Sequence, residues 1–245
     1  VEDAAIDHIA RMAGGDLRAA YNALELAVIT TPPAEDGTVK VTLKDAEQSI
    51  QRKALSYSED EYYDYLSAFC KSLRGSDSNA ALYYAMRLIE GGCDPMTVAR
   101  RLVIHSAEDV GMADPQAMVV ATSAMYALEK TGYPEGLIPL SNAIVYVCEA
   151  PKSNAACQAI SRAMAVVGES GSLPIPIHLQ DRHYSGAREL GRGEGYKYAH
   201  DYPKHYVAQQ YLPDAVQGST FYEPSENGYE KQIQEHMKWL HSGNE

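Results

Sequence analysis

Between Ser58 and Gly168 the chain carries helix starts and stops in close succession, and this cadence limits it to a fold of short packed helices. Ser58-Glu59-Asp60-Glu61 reads as a capping box. Behind it Tyr62, Leu66, Phe69, Cys70 and Leu73 recur at helical spacing up to Arg74-Gly75. Asp77 or Ser78 starts the next helix, with Leu82, Ala85, Met86 and Ile89 on one face and a stop at Gly91-Gly92. Asp94-Pro95 and Asp114-Pro115 each place a capping carboxylate before a proline at the first helical position. The first is predicted to run through His105 to Gly111 and the second to Lys130. Pro139 opens a fifth helix to Ala150, and Ser153 or Asn154 a sixth to Gly168. Short connections of this kind favour antiparallel neighbours in a bundle. The two Asp-Pro starts are not followed by similar sequences, so no solenoid repeat is read.

The flanks differ. An apolar helix ends at Gly14-Gly15, and Asp16 restarts a helix with Arg18 in its first turn. Residues 30–41 form a loop, with Val39, Val41 and Leu43 a short extended piece before another helix start at Leu43. The long stretch from Gly168 to Pro224 is rich in Gly, Pro, Tyr and His and is read as irregular, with Ala187–Leu190 and Pro203–Tyr206 as candidate short helices. A last helix covers Tyr229–Leu240, and a soft boundary falls near Arg52-Lys53.

Composition bounds the class. Hydrophobic residues make up 45% and charged residues 22%, as in ordinary globular domains. No apolar run approaches a membrane span. A net charge of -12 argues against a broadly basic, nucleic-acid-coating surface but leaves room for local basic patches. Cys70, Cys93, Cys148 and Cys157 include no C-x-x-C pair; each sits in an apolar, helical context and is read as a buried free thiol of a reducing cytoplasm. The start Val1-Glu2-Asp3 has neither an initiator Met nor a signal-peptide pattern, and the expectation is a piece of a longer protein.

Several residues invite chemistry. A cation near a helix N-terminus opposes the dipole unless an anion meets it, so Arg18 is either a phosphate sensor or a partner of Glu25. Lys71 and Arg74 suit a helix C-terminus, and with the Gly75-Ser76-Asp77 turn they also suit a subunit or DNA contact. Arg100 and Arg101 lie in an otherwise apolar helix; one is expected to pair with Glu108 or Asp109, or across a subunit interface. The segment 178–211 interleaves Arg182, Arg188, Arg192 and Lys197 with tyrosines and histidines, a composition suited to single-stranded nucleic acid. Its plainer reading is a long loop pinned to the bundle by its tyrosines. His178, Asp181 and His183 fall short of a metal-site pattern, and no Ser-His-Asp or Cys-His set has a catalytic context.

Taken in order, these motifs carry a resemblance. Gly15-Asp16-Leu17-Arg18 with Asn22-Ala23-Leu24-Glu25 resembles the sensor-2 region of an AAA+ lid. Lys71–Asp77, Ser106–Gly111, Ala113–Ala117, Ala150–Ala156, Gly195–Pro203, Gln210–Pro213 and Phe221–Pro224 then resemble, in order, the C-terminal part of the replication-associated recombination AAA+ ATPases. That family comprises bacterial RarA, or MgsA, and the eukaryotic Werner-helicase-interacting protein. The resemblance implies an all-α fold: residues 1–52 as part of the AAA+ helical lid, and 53–245 as a helical tetramerisation domain with a long irregular C-terminal segment. It implies ATP and Mg as cofactors of the whole protein, a DNA-dependent ATPase acting at replication forks. It also implies a homotetramer, contact with forks or single-strand/duplex junctions, and contact with single-stranded-DNA-binding protein. It implies a cytoplasmic, nucleoid-associated location and no membrane partner.

The phosphate-binding pattern G-x-x-x-x-G-K-[ST] is missing from these residues, as are the acidic Mg-binding strand and the arginine finger. The expectation is therefore an oligomerisation and DNA-contact fragment with no cofactor of its own and no catalytic residue. A DNA-binding module proper is a further reading. The alternative from another class is a stand-alone enzyme using the His/Tyr-rich segment 178–211.

Overall fold

A computed structural model describes residues 1–50, 58–183, 185–187 and 189–242. Among them there are helices, turns and irregular segments, and no β-strand. The chain divides into two compact units, residues 1–102 with 124–148, and residues 103–123 with 149–245. The boundary expected at Arg52-Lys53 lies outside the described residues.

The first unit begins with three helices: α1 (Asp3–Ala13), α2 (Leu17–Thr30) and α3 (Leu43–Ser49). Gly14 takes the left-handed conformation (φ 58°) that ends α1. The Asp16 carboxylate then accepts from the Arg18 and Ala19 backbone N–H groups at 2.9 and 3.0 Å and starts α2. Ala5, Ile9, Ala23, Ala27, Val41 and Ala46 form the buried core of this trio. Alanine at four of these six positions brings the helix backbones close together. The extended piece before α3 is present, with the Val41 carbonyl accepting from Glu2 N–H at 3.0 Å.

α4 (Glu59–Arg74) and α5 (Ser78–Glu90) form a tight hairpin. The capping box at Ser58 is made as expected, with the Ser58 N–H donating to the Glu61 carboxylate at 2.8 Å. The Asp77 carboxylate caps α5 through Ala80 N–H at 2.8 Å. Phe69, Leu73 and Leu88 are wholly buried in this unit. So are residues of α8 (Leu137–Glu149), among them Leu140, Ile144 and Val147. α8 starts two residues before Pro139; a proline in the first turn loses only an N–H that would have no helical partner. Cys93 is buried, but in the connection between α5 and α6 (Pro95–His105) rather than in a helix. Asp94 caps α6 as expected.

In the second unit the helix expected to reach Gly111 does not. The α-geometry ends at His105, and Ser106–Val110 widen into a π-turn followed by a 3-10 turn over Gly111–Ala113. The Gly111 N–H closes this π-turn on Ser106 O, and the Asp109 carbonyl, which would carry the α-ladder on to Ala113, accepts instead from Ser153 N–H at 2.8 Å. Gly111 has φ 52°, and a Cβ there would come within 2.9 Å of the Ser153 carbonyl oxygen. Asp114 caps α7 (Gln116–Thr131), and α9 covers Ala155–Ser170. The stretch beyond it is irregular, as expected, with 3-10 turns at 177–179, 199–201, 203–205 and 214–216. Ala187, Glu189 and Leu190 lie in turns rather than a helix. α10 (Glu230–His241) closes the unit, its last carbonyls bonded by the Lys204 ammonium, which donates to Trp239 O at 2.6 Å.

Ahead of α10, Tyr229 N–H donates to the Ala113 carbonyl at 2.7 Å. This draws Gly228 so close that a Cβ there would enter the van der Waals shell of Ala113 O and lie 2.7 Å from Pro151 Cγ. Gly228→Ala is expected to lower unfolding stability by about 3 kcal/mol or more, from overpacking and a positive φ together. Urea denaturation of the two proteins checks it; a loss under about 1 kcal/mol contradicts this packing.

Candidate subunit and nucleic-acid interface

The candidate cations of the first unit, Arg18, Lys71, Arg74, Arg100 and Arg101, sit on three helices. Arg18 is exposed at the second position of α2, and no hydrogen bond or ion pair of its side chain occurs among the described residues. Pairing with Glu25, the plainer reading of Arg18, is not made. Its guanidinium is free to meet an anion, and a permanently charged planar fork suits phosphate. Lys71 and Arg74 are exposed in the last turn of α4, where the helix dipole favours them. The turn after them is tight: Gly75 N–H donates to Lys71 O at 2.8 Å and Asp77 N–H to Ser72 O at 3.1 Å. Arg100 and Arg101 are exposed on α6.

The candidate cations of the second unit lie on the irregular segment, with Arg188 outside the described residues. Arg182 is exposed, and its aliphatic stem lies against Gly193, where a Cβ would stand 3.0 Å from Arg182 Cδ. Arg192 is half-buried. Lys197 is exposed, and its backbone is gripped by the Gln209 amide, which accepts from Lys197 N–H at 3.2 Å and donates to Lys197 O at 2.8 Å. Of the tyrosines, Tyr206 pins this segment as the plainer reading expected, half-buried with its ring edge-to-face on His241 of α10 at 5.2 Å. Tyr196, Tyr198 and Tyr211 remain 47%, 54% and 54% exposed, and glutamine, histidine and lysine side chains bonded to backbone also fasten the loop. His178, Asp181 and His183 are not gathered together. His178 Nε2 is bonded to Gln210 O at 2.7 Å, while the exposed Asp181 carboxylate bonds His183 Nδ1 at 2.5 Å. That bond, with one from His183 N–H, holds Asp181 below its ordinary pKa. No Ser, Cys or Lys side chain is hydrogen-bonded to a histidine of 178–211 among the described residues.

The structure reveals a buried polar knot that no motif announced. His105 Nδ1 and Asp109 Oδ2 meet at 2.7 Å across the π-turn, both side chains buried. Glu108, with these two, completes a group of metal-ligand type whose donor atoms lie within 4.8 Å, although the His105–Asp109 bond already occupies two of them. Nearby in sequence terms only to α10, Glu230 is wholly buried. Its carboxylate accepts from Ser225 N–H (2.8 Å), Ser225 Oγ (2.6 Å) and Tyr222 Oη (2.9 Å), and from the Ser153 hydroxyl. Burial alone would raise its pKa; the hydrogen bonds from Ser153, Ser225 and Tyr222 outweigh burial and hold it below the ordinary value. The same burial, with the bond to Glu230 and its charge, pushes the Tyr222 phenol up to about 12. The i,i+4 spacing of His105 and Asp109 was a usable signal; nothing local to Glu230 was.

Residues 75–241 match the family described as MgsA AAA+ ATPase C terminal, and residues 1–74 match AAA C-terminal domain. The chain belongs to the MgsA family of AAA+ ATPases. It is 47% identical to Replication-associated recombination protein A of Bacillus subtilis over 230 residues, 93% of this chain and 54% of that protein. Against the protein of the same name from Escherichia coli K12 it is 38% identical over 237 residues, 95% of this chain and 53% of the relative. Against ATPase WRNIP1 of Dictyostelium discoideum it is 31% identical over 241 residues, 91% of this chain and 28% of the relative. The chain spans about half the length of the bacterial relatives, matching their C-terminal part, and this MgsA-family sequence contains no phosphate-binding loop. The two family matches meet at Arg74/Gly75, inside the α4–α5 hairpin and between Lys71 and Asp77.

A carboxylate held below its ordinary pKa stabilises the fold above that value, near 4.5, and loses the contribution as pH falls through the folded value. Glu230→Gln is expected to cost about 1.5–3 kcal/mol at pH 7, the range for hydrogen bonds to a charged group. Its stability should then fall less steeply than that of the parent between about pH 5 and 3. Urea titrations at pH 7 and pH 4 check both points; parallel pH profiles contradict the assigned role of the carboxylate.

Proposed function

We propose that this chain is the lid remnant and assembly part of a AAA+ ATPase acting in replication-fork maintenance and recombination. Residues 1–52 belong to the lid and 53–245 to the tetramerisation domain. The whole protein uses ATP and Mg, works on forks or single-strand/duplex junctions together with single-stranded-DNA-binding protein, and sits with the nucleoid. Arg18 is then the sensor that reaches a nucleotide held by the ATPase core, and Lys71, Arg74, Arg100 and Arg101 serve subunit or DNA contacts.

The observation that carries assembly is α9. No residue of this helix is fully buried, yet Ile160, Met164 and Val167 stand 61%, 69% and 67% exposed at i, i+4 and i+7. Met112, Ala156 and Tyr222 extend the same apolar surface. The one basic side chain of α9, Arg162, folds back to pair with Glu223 at 2.7 Å and to donate to Phe221 O at 3.2 Å. The stripe therefore suits a second copy presenting the same face, since an isologous contact pairs like with like. A tetramer of paired dimers needs another contact. The apolar groove lined by Leu82, Met86, Ile138 and Ile144 between α5 and α8 supplies a surface for it.

Light scattering at micromolar concentration is expected to give the mass of a tetramer. Met164→Glu should weaken association at least tenfold while changing unfolding stability by no more than about 0.5 kcal/mol, as for an exposed position. A stable monomer of the unaltered chain overturns the proposal.

A further inference from the structure

The open groove on the irregular segment offers a second surface, independent of α9. Among the described residues, besides Tyr196, Tyr198 and Tyr211 it is lined by His178, Gln180, Asp181, Arg182 and His183, and Leu179 is the one aliphatic side chain in its wall. A wall so poor in aliphatic carbon does not suit an apolar peptide. It offers instead exposed aromatic faces beside basic groups, the combination on which unpaired bases stack while phosphates are neutralised.

The groove is held in shape without a ligand. Gly193 N–H donates to Ile177 O at 2.8 Å, and His178 is tied to Gln210 O. The Gln209 amide that grips Lys197 also donates to Tyr211 Oη at 2.9 Å, so Tyr211 and the Lys197-Tyr198 backbone are fixed through one side chain. Gly193 leaves room for the Arg182 stem, and both residues line the groove. The one carboxylate of the wall, Asp181, is engaged by His183. Order of this kind lowers the entropy lost on binding.

We infer that this groove, with Tyr196, Tyr198 and Tyr211 as stacking faces and Arg182 and Lys197 as phosphate partners, binds single-stranded DNA through its bases rather than duplex DNA through its backbone. The inference rests on the proposed action at DNA forks but not on assembly. At a net charge of -12 the chain repels DNA at long range, so binding by one copy is weak and sharply salt-dependent.

The test uses the 245-residue chain and a fluorescein-labelled 20-mer of thymidine, read by anisotropy at low and moderate salt, with a blunt duplex as comparison. Tyr196→Ala with Tyr198→Ala should weaken single-strand binding at least tenfold. The corresponding double Phe variant should stay within about twofold, because the ring face is kept. Tyr198→Leu, which keeps bulk without a π-face, serves if the alanine variant unfolds. Arg182→Gln should flatten the salt dependence by about 0.7 in logarithmic slope. Absence of binding at low salt overturns the inference, and so does binding that is indifferent to loss of the rings. Light scattering on the same samples separates the two proposals. A tetramer that ignores single strands refutes the groove alone; a monomer whose binding follows the rings refutes assembly alone.

Discussion

The second unit depends on one buried carboxylate. Glu230 sits at the first position of α10 with no exposed surface, and every donor it gathers comes from a segment with no regular structure. Burying an ion without partners would cost several kcal/mol, and the hydrogen bonds from Ser153, Tyr222 and Ser225 offset that cost. The bond from Ser153 joins α10 to the 151–154 loop. The same loop, through Ser153 N–H, takes the Asp109 carbonyl out of its helix at the end of the π-turn. His105 and Asp109 then close across the widened turn. Four stretches far apart in sequence are thereby ordered by a single set of hydrogen bonds.

This explains which parts were legible in advance. Caps at Asp16, Ser58, Asp77, Asp94 and Asp114 act within a few residues, and each is found where its sequence signal places it. The all-α class, the hairpin of α4 and α5 and the irregular character beyond Gly171 follow from such local rules. The break at His105 does not, because Ser106–Val110 has an unremarkable helical sequence and the partner of its Asp109 carbonyl, Ser153, lies far along the chain. Cys93 was misplaced for a similar reason: its apolar neighbours suggested a helix, while Gly91 and Gly92 had already ended it. The tyrosines of 178–211 were expected to be anchors because large aromatic side chains usually bury themselves. Tyr206 does anchor, against His241 of α10, and the rest of the anchoring is done by Gln209, His178 and Lys204, whose polar side chains reach backbone groups that a loop leaves unpaired.

Of the candidate site, sequence identified residue types better than roles. Lys71 and Arg74 are fully accounted for by the dipole at the end of α4, so their position alone does not demand a ligand. Arg18 differs in that its side chain stands in the first turn of α2, where the dipole disfavours a cation, and makes no hydrogen bond or ion pair among the described residues, while the Asp16 carboxylate caps the same helix end.

In the proposed reading, assembly and single-strand binding reinforce each other through simple mass action. A groove with few cations on a chain of net charge -12 binds weakly, since counterion release scales with the phosphates neutralised. When α9 faces bring copies together, a strand held in one groove sees the next at a high effective concentration, and the weak contacts multiply without any new one. Dissociation of the assembly would then release DNA even with every groove intact. The apolar stripe of α9 and the tyrosines of the irregular segment therefore make separate contacts, yet the affinity of the assembly for DNA depends on both.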